Sequence, residues 1–440
     1  MKKKTCVKAA AGLLAASLML ACPGAAEADS GPGQTGASPG TVYRRETTVG
    51  IPASIPYGDL GSQRAVWQNN TLSDSFRSGL YTFSCKTAAA LMKDSRGNIN
   101  YSPVALYYGL SLAAQGANGS TESQLYTLLA VPGQDTARMP DECGSLYRLM
   151  YRADEVCRIK PSASLWLKDG GAISDTYRRT AEQQYYSDIF RLDLSDAGAA
   201  AIMGQWVSER THQTISPQFA AAPDDAMRII STMDLSNQWT FDFDRTSGTE
   251  GSFFLADGQQ AACGFMTDTR KGSYYRGQGF VRATLLQKDS STVTFILPDR
   301  GISPHSLLSS DETVHEMFGT VAESYGPVAW KIPGFSISSS LELGPMLEGL
   351  GVTDAFSPER ADFSGITDAR PYLDNVLQVT RMDVSENGTG ASGYLDVPGL
   401  ERIPSDEIPV DMTLDRPFLY SVSGAPGVLL YMGMCTDPTA

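Results

Sequence analysis

The sequence predicts an α+β domain with large antiparallel sheets, and two contrasts within the chain carry that reading. Helical periodicity dominates the first half, whereas from Met227 onward apolar and β-branched runs alternate with turn residues, as strands do. Helices gathered early and strands late favour segregated α and β elements over repeating βαβ units. With 440 residues, 42% of them hydrophobic and only 19% charged, the chain can bury a large core.

Taken in order, the amino terminus comes first. Lys2, Lys3, Lys4 and Lys8 precede a small and apolar run from Ala9 to Ala21, the layout of an export signal over residues 1–28. The run is too short for a comfortable membrane span. Ala26-Glu27-Ala28 offers small residues where a signal peptidase reads, giving a mature start at Asp29. Met19-Leu20-Ala21-Cys22 offers a second end, because it resembles the lipobox of bacterial lipoproteins, in which the cysteine carries the lipid. Either route leaves the protein secreted or at the cell surface. Residues 29–70, rich in Gly, Pro, Ser and Thr, read as a flexible spacer. The folded domain is expected over 71–440.

The spacing of Leu80, Phe83, Ala88 and Leu91 predicts a helix over 73–92, stopped at Gly97-Asn98. A second helix follows from Pro103 to Ala114. A third spans 199–212, with Ile202, Trp206 and Val207 on one face and Glu209-Arg210 opposite. Later, 281–286 and 291–297 read as strands. No internal repeat of solenoid or propeller period occurs.

The formal charge is −14; losing residues 1–28 removes four lysines and Glu27, leaving about −17, which repels nucleic acid. Cysteines beyond the signal are Cys85, Cys143, Cys157, Cys263 and Cys435, with no C-x-x-C pair. Cys143 and Cys157 form the one local pair that could bridge. Three histidines, His212, His305 and His315, build no zinc spacing. Neither S-x-x-K nor H-E-x-x-H is present. The G-x-S-x-G match at Gly36-Ala37-Ser38-Pro39-Gly40 falls in the spacer, and the two G-x-G-x-x-G matches, from Gly31 and from Gly388, have no helix opening behind them. No catalytic residue, cofactor or metal is expected.

Between Met382 and Leu414 the sequence stops looking like a core. Glu386-Asn387-Gly388-Thr389-Gly390-Ala391-Ser392-Gly393 is small and polar, and Pro398, Pro404 and Pro409 exclude a central strand across the residues they punctuate. A long loop inside a compact domain is usually functional. Arg402, with Ile403 next to it, is the only basic residue from Met382 through Asp415. An isolated arginine there suits the carboxylate-bearing pocket of a trypsin-like protease; a solvated surface arginine is the plainer reading.

Five blocks in order resemble the serpin family over nearly the whole region from Ser73 to Ala440. They are Asn98-Ile99-Asn100-Tyr101-Ser102-Pro103 with Ala114-Gln115-Gly116-Ala117-Asn118-Gly119; Trp206-Val207-Ser208-Glu209-Arg210-Thr211 with Trp239 and Phe241-Asp242-Phe243-Asp244; Lys331-Ile332-Pro333-Gly334-Phe335; Ala361-Asp362-Phe363-Ser364-Gly365; and Leu414-Asp415-Arg416-Pro417-Phe418 with Leu430-Tyr431-Met432-Gly433. The resemblance implies a metastable fold of about nine helices and three sheets with an exposed reactive loop, here about 386–409. It implies a protease inhibitor, not an enzyme. A protease cleaves the loop, forms an acyl-enzyme and is carried across the molecule as the cut loop becomes a new strand of the main sheet.

Matched to the family's first-inserting threonine, Thr389 places the reactive bond at Arg402-Ile403. The resemblance makes Glu386, Gly388, Thr389, Gly390, Ala391, Ser392 and Gly393 the loop hinge. A strand entering a packed sheet turns alternate side chains inward, so its first residues must be small, as these are. Gly390 stands where the family commonly has glutamate, and the bulkier Tyr394 and Leu395 come after it. Ser102, Ser231, Gln378 and Trp239 match the family's sheet-opening region, with Ala105 and Ser231 for a serine and an asparagine, and Gln378 for a histidine. A cluster of Ser102, Ser231 and Gln378 would satisfy buried polar groups there. The implied partner is a trypsin-like serine protease or an arginine-specific cysteine protease, met by a monomer; a membrane enters only through a lipid on Cys22. The other function the family allows is a non-inhibitory binding protein or simple substrate.

Overall fold

The computed structural model describes residues 41–440 apart from 132–135, 221–225, 245–247, 391–406 and 425–426. The export signal, Cys22 and residues 29–40 lie outside these, as do Ala391, Ser392, Gly393, Arg402 and Ile403.

Two sheets enclose one wholly buried helix. Pro103–Ala114 has Ser102 as its N-cap and Pro at its first position, a donor-free start that needs no partner for a missing N–H. All twelve of its residues are buried, so a helix apolar all round sits where a helix apolar all round must. The first sheet runs in the order Tyr43–Arg45, Asp188–Leu192, Cys157–Lys168, Met227–Gln238, Gly388–Thr389, Leu373–Ser385 and Phe335–Glu342. Its inner face, with Ile229, Met233, Val376 and Met382, joins the main core around that helix.

The second sheet runs Val410–Thr413, Ser324–Pro333, Gln260–Gly277, Phe280–Leu286, Thr292–Pro298, Phe418–Gly424, Val428–Cys435 and Ile99–Tyr101. Three sheets are implied by the resemblance; here the second and third share one ladder. The join is the 18-residue strand Gln260–Gly277, which pairs with Thr249–Phe254 at one end and with Phe280–Leu286 at the other.

The sequence-read helices stand as Asp74–Met92, Pro103–Ala114 and Ala197–Arg210. The last lies on the outer face of the first sheet, where Ile202, Trp206 and Val207 pack with Trp166, Phe190, Ile230 and Val379.

The spacer expectation for 29–70 needs correction from Thr41 onward. Tyr43–Arg45 adds an antiparallel edge strand against Asp188–Leu192, and Leu60–Asn69 is a helix with no buried residue, capped by Asp59. The strand is too short to show apolar alternation, which is why composition conceals it: Tyr43 packs against Phe190, and a charge holds the other end. Arg45 pairs with the buried Asp188 at 2.6 Å, and the same carboxylate accepts from Trp206 Nε1 at 2.8 Å and from Arg210 at 2.7 Å. One side chain thereby ties the amino-terminal strand to the outer helix.

Removing a partner from a buried ion pair costs about 3 kcal/mol or more, because the remaining charges stay desolvated. Asp188→Ala should lower stability by that order in thermal or denaturant unfolding, while Asp188→Asn, which keeps one acceptor, should lose less.

Candidate functional site

The site is a slot in the first sheet. Met227–Met233 and Leu373–Thr380 pair directly and in parallel. Beyond Met233 and Thr380 the two strands part, and Gly388–Thr389 lies between them, antiparallel to both: Thr389 opposite Asn237 and Val384, Gly388 opposite Gln238 and Ser385. Gly390 N donates to Asp383 O at 2.9 Å. Gly388–Thr389 is therefore already seated as a short central strand.

Two glycines are demanded by this seating. At Gly388 the backbone has φ +149° and an added Cβ would collide with Asn237 O; at Gly390, φ is +69° and a Cβ would collide with Leu235 O. Left-handed backbone at that proximity excludes any side chain. Glycine at position 390 is thus a requirement of how closely this backbone approaches the neighbouring strand. Thr389 is fully buried, and its hydroxyl accepts from Gln287 Nε2 at 2.8 Å.

The turn that feeds the hinge is held from one side. Trp239 Nε1 donates to Ser385 O at 2.9 Å, Trp239 N to Asn387 O at 3.1 Å, and Phe243 N to Glu386 O at 3.0 Å. Trp239 is buried and packs edge-on against Phe243.

Below the fork lies the polar cluster expected at the sheet-opening position. Gln378 Oε1 accepts from Ser102 N at 2.8 Å, while its Nε2 donates to Ser102 O at 2.9 Å and to Ser231 Oγ at 3.3 Å. All three residues are fully buried, and Gln378 and Ser231 are register partners across the parallel pair. A planar amide supplies the acceptor and two donors this arrangement needs, with no charge to bury. Thr232 Oγ1 to Val379 O at 2.6 Å and Thr380 Oγ1 to Asn100 O at 2.9 Å extend the network. Ala105 lies buried in the first turn of the helix.

After residues 391–406, Val410–Thr413 runs parallel to Ser324–Pro333 in the second sheet. Gly388–Thr389 and Val410–Thr413 thus belong to different sheets. Glu386, Gly388, Thr389 and Gly390 are brought together with Trp239; Ser102, Ser231 and Gln378 form their own cluster. Sequence reasoning missed Gln287, whose place between two strands carried no signal of its own.

Cys143 and Cys157 are free thiols. Burial pushes the Cys143 thiol up to about 12 and, with Asp289 beside it, raises that of Cys157, so neither is an activated nucleophile. His212 meets a carboxylate, that of Asp234, whereas His305 meets the Ser303 hydroxyl and the Ser95 carbonyl.

Gly390→Ala should expel the hinge from the fork. Hydrogen exchange is expected to show loss of protection at residues 388–390, with the Met227–Met233 amides unaffected.

A family model described as Serpin (serine protease inhibitor) matches residues 78–438. The alpha-1-antitrypsin homolog of Cyprinus carpio is 26% identical over 354 residues, covering 77% of this chain and 91% of that protein. A serpin-like protein of Methanosarcina acetivorans is 23% identical over 367 residues, covering 78% and 82%. Among solved structures, the native state of the thermophilic serpin tengpin superposes with a TM-score of 0.74 at 22% identity, over 83% of this chain and 95% of tengpin. With the family model spanning most of its length and the fold in agreement, this chain belongs to the serpin family, whose members are generally protease inhibitors.

Proposed function

We propose that the protein is a suicide-substrate inhibitor cleaved at Arg402-Ile403. The nucleophile of a trypsin-like serine protease or an arginine-specific cysteine protease attacks the Arg402 carbonyl. The bond to Ile403 breaks, the amine of Ile403 leaves with a proton, and Arg402 stays on the protease as an ester or thioester. The inhibitor supplies no nucleophile; it supplies the trap.

The seated hinge carries this reading. Gly388–Thr389 is antiparallel to both neighbours, so each residue that enters from the rung of Met233 and Thr380 onward exchanges one parallel ladder for two antiparallel ones. Parallel pairing is the weaker per residue, and each net backbone hydrogen bond contributes about 1 kcal/mol. A cut loop is thus driven inward, whereas an intact one is held at its far end by Val410–Thr413.

We further propose that the chain acts as a monomer outside the cell, secreted or anchored by lipid on Cys22. A second reading, cleavage without trapping, draws support from the bulk of Tyr394 and Leu395 behind the small hinge residues.

Mixing the secreted form with trypsin should yield a band at the summed mass that survives denaturing electrophoresis, and a released peptide beginning at Ile403. Clean cleavage without that band would leave a simple substrate. Arg402→Ala should abolish the reaction, and inhibition retained at the parental rate would move the bond elsewhere. Thr389→Arg should turn the inhibitor into a substrate, because it sets a charge in the closed pocket now shared with Gln287; trapping as efficient as the parent's would sink the insertion mechanism.

A further inference from the structure

The outer helix ends at Arg210, and the turn after it is unusual in its backbone. His212 and Gln213, neither of them glycine, both have positive φ, 49° and 61°. Two successive side-chain-bearing residues in the left-handed region persist only where their surroundings hold them. The holding contacts reach both walls of the slot. His212 Nδ1 lies 2.6 Å from Asp234 Oδ2, on the strand Met227–Gln238. On the facing strand, Arg381 Nη1 donates to Thr214 O at 3.5 Å.

These two wall residues occupy a particular rung. Direct pairing ends at Met233 and Thr380, so Asp234 and Arg381 are the next pair up, just inside the fork. In the register set by Thr389 with Asn237 and Val384, a strand continued inward places residue 392 between Asp234 and Arg381. Where the walls pair directly, inserting a strand moves them apart by one interstrand spacing, about 4.8 Å, and the rung of Asp234 and Arg381, next to the last direct pair, widens with them. A short turn bonded to both walls cannot keep both bonds through that change.

We propose that Thr211–Thr214 is a two-sided latch over the slot, and that His212 and Arg381 are positioning residues that set how fast the cut loop enters. The inference rests on the insertion reading above. Other charges facing Asp234 hold it in place without crossing the slot: Arg158 Nε bonds the same carboxylate oxygen at 2.6 Å, and Lys160 is its register partner on the neighbouring strand. Arg381 is likewise held on its own wall by both oxygens of Asp383, at 3.0 and 2.9 Å. On the outer face the turn spans from one of these sets to the other, while from the core side the Tyr431 hydroxyl donates to Met233 O at 2.6 Å and also meets the Arg381 backbone.

The test tracks insertion after mixing with saturating trypsin, by tryptophan fluorescence, alongside the stoichiometry of inhibition. His212→Ala should insert about three- to tenfold faster and lower the stoichiometry toward one inhibitor per protease. His212→Gln, which keeps a donor for Asp234, should restore much of the parental rate. Gln213→Gly relieves the left-handed strain while the latch is closed, so it should insert at least twofold more slowly; it also serves if His212→Ala fails to fold. Parental rates in the folded variants would overturn the latch. Thermal unfolding of the cleaved proteins separates the two readings. If cleavage stabilises neither parent nor variants, insertion itself is wrong; if it stabilises all of them and the rates are equal, only the latch falls.

Discussion

The parallel pairing of Met227–Met233 with Leu373–Thr380 is the constraint on which the rest of the site depends. Two parallel neighbours leave room, in direction and in hydrogen bonding, for one strand running opposite to both. Gly388 and Thr389 take the first two rungs of that position, with three rungs between Thr389 and the first directly paired one at Met233 and Thr380. Everything arranged about this pair bears on whether it stays closed: the Ser102–Ser231–Gln378 cluster beneath it, the Trp239 grip on the turn above it, and the outer helix laid across it.

The polar cluster shows how a closed seam is held without a charge. Gln378 bridges the helix start at Ser102 to the facing strand at Ser231, so the seam is tied to the buried helix as well as to itself. Breaking it leaves backbone groups of Ser102 unpaired in the dry interior, a cost of about 1–3 kcal/mol for each such group. A seam of this kind stays shut unless something else offers its strands new partners.

Much of this was legible from the residues. The three long helices follow from apolar spacing, and the strands at 280–286 and 292–298 from alternation, with ends displaced by only one or two residues. The cluster at 102, 231 and 378 was legible through family resemblance, since nothing local to Gln378 marks it as buried. The features that escaped notice have a common physical cause. Tyr43–Arg45 is three residues long and is held through Arg45 to Asp188, a contact 143 residues away in sequence; the helix Leu60–Asn69 buries nothing. Neither leaves a periodic trace. Gln287 and His212 act on the slot from loops, where side-chain destinations are set by tertiary structure alone.

The register of the seated hinge also gives meaning to the order of small and large residues behind it. Thr389 faces the core, so in a continued strand Ala391, Gly393 and Leu395 would face inward and Ser392 and Tyr394 outward. Gly393 would then meet Met233 and Thr380, the first rung that is directly paired. The residue that must part the closed seam would be one with no side chain to accommodate. Leu395 would arrive two rungs later, opposite Ser231 and Gln378, when the walls have already separated. Its bulk would enter the space left as the Ser231–Gln378 hydrogen bond opens, replacing a polar contact with apolar burial. On this account the large residues behind the hinge impose no barrier to starting insertion; they bear on its later course, after the seam has given way.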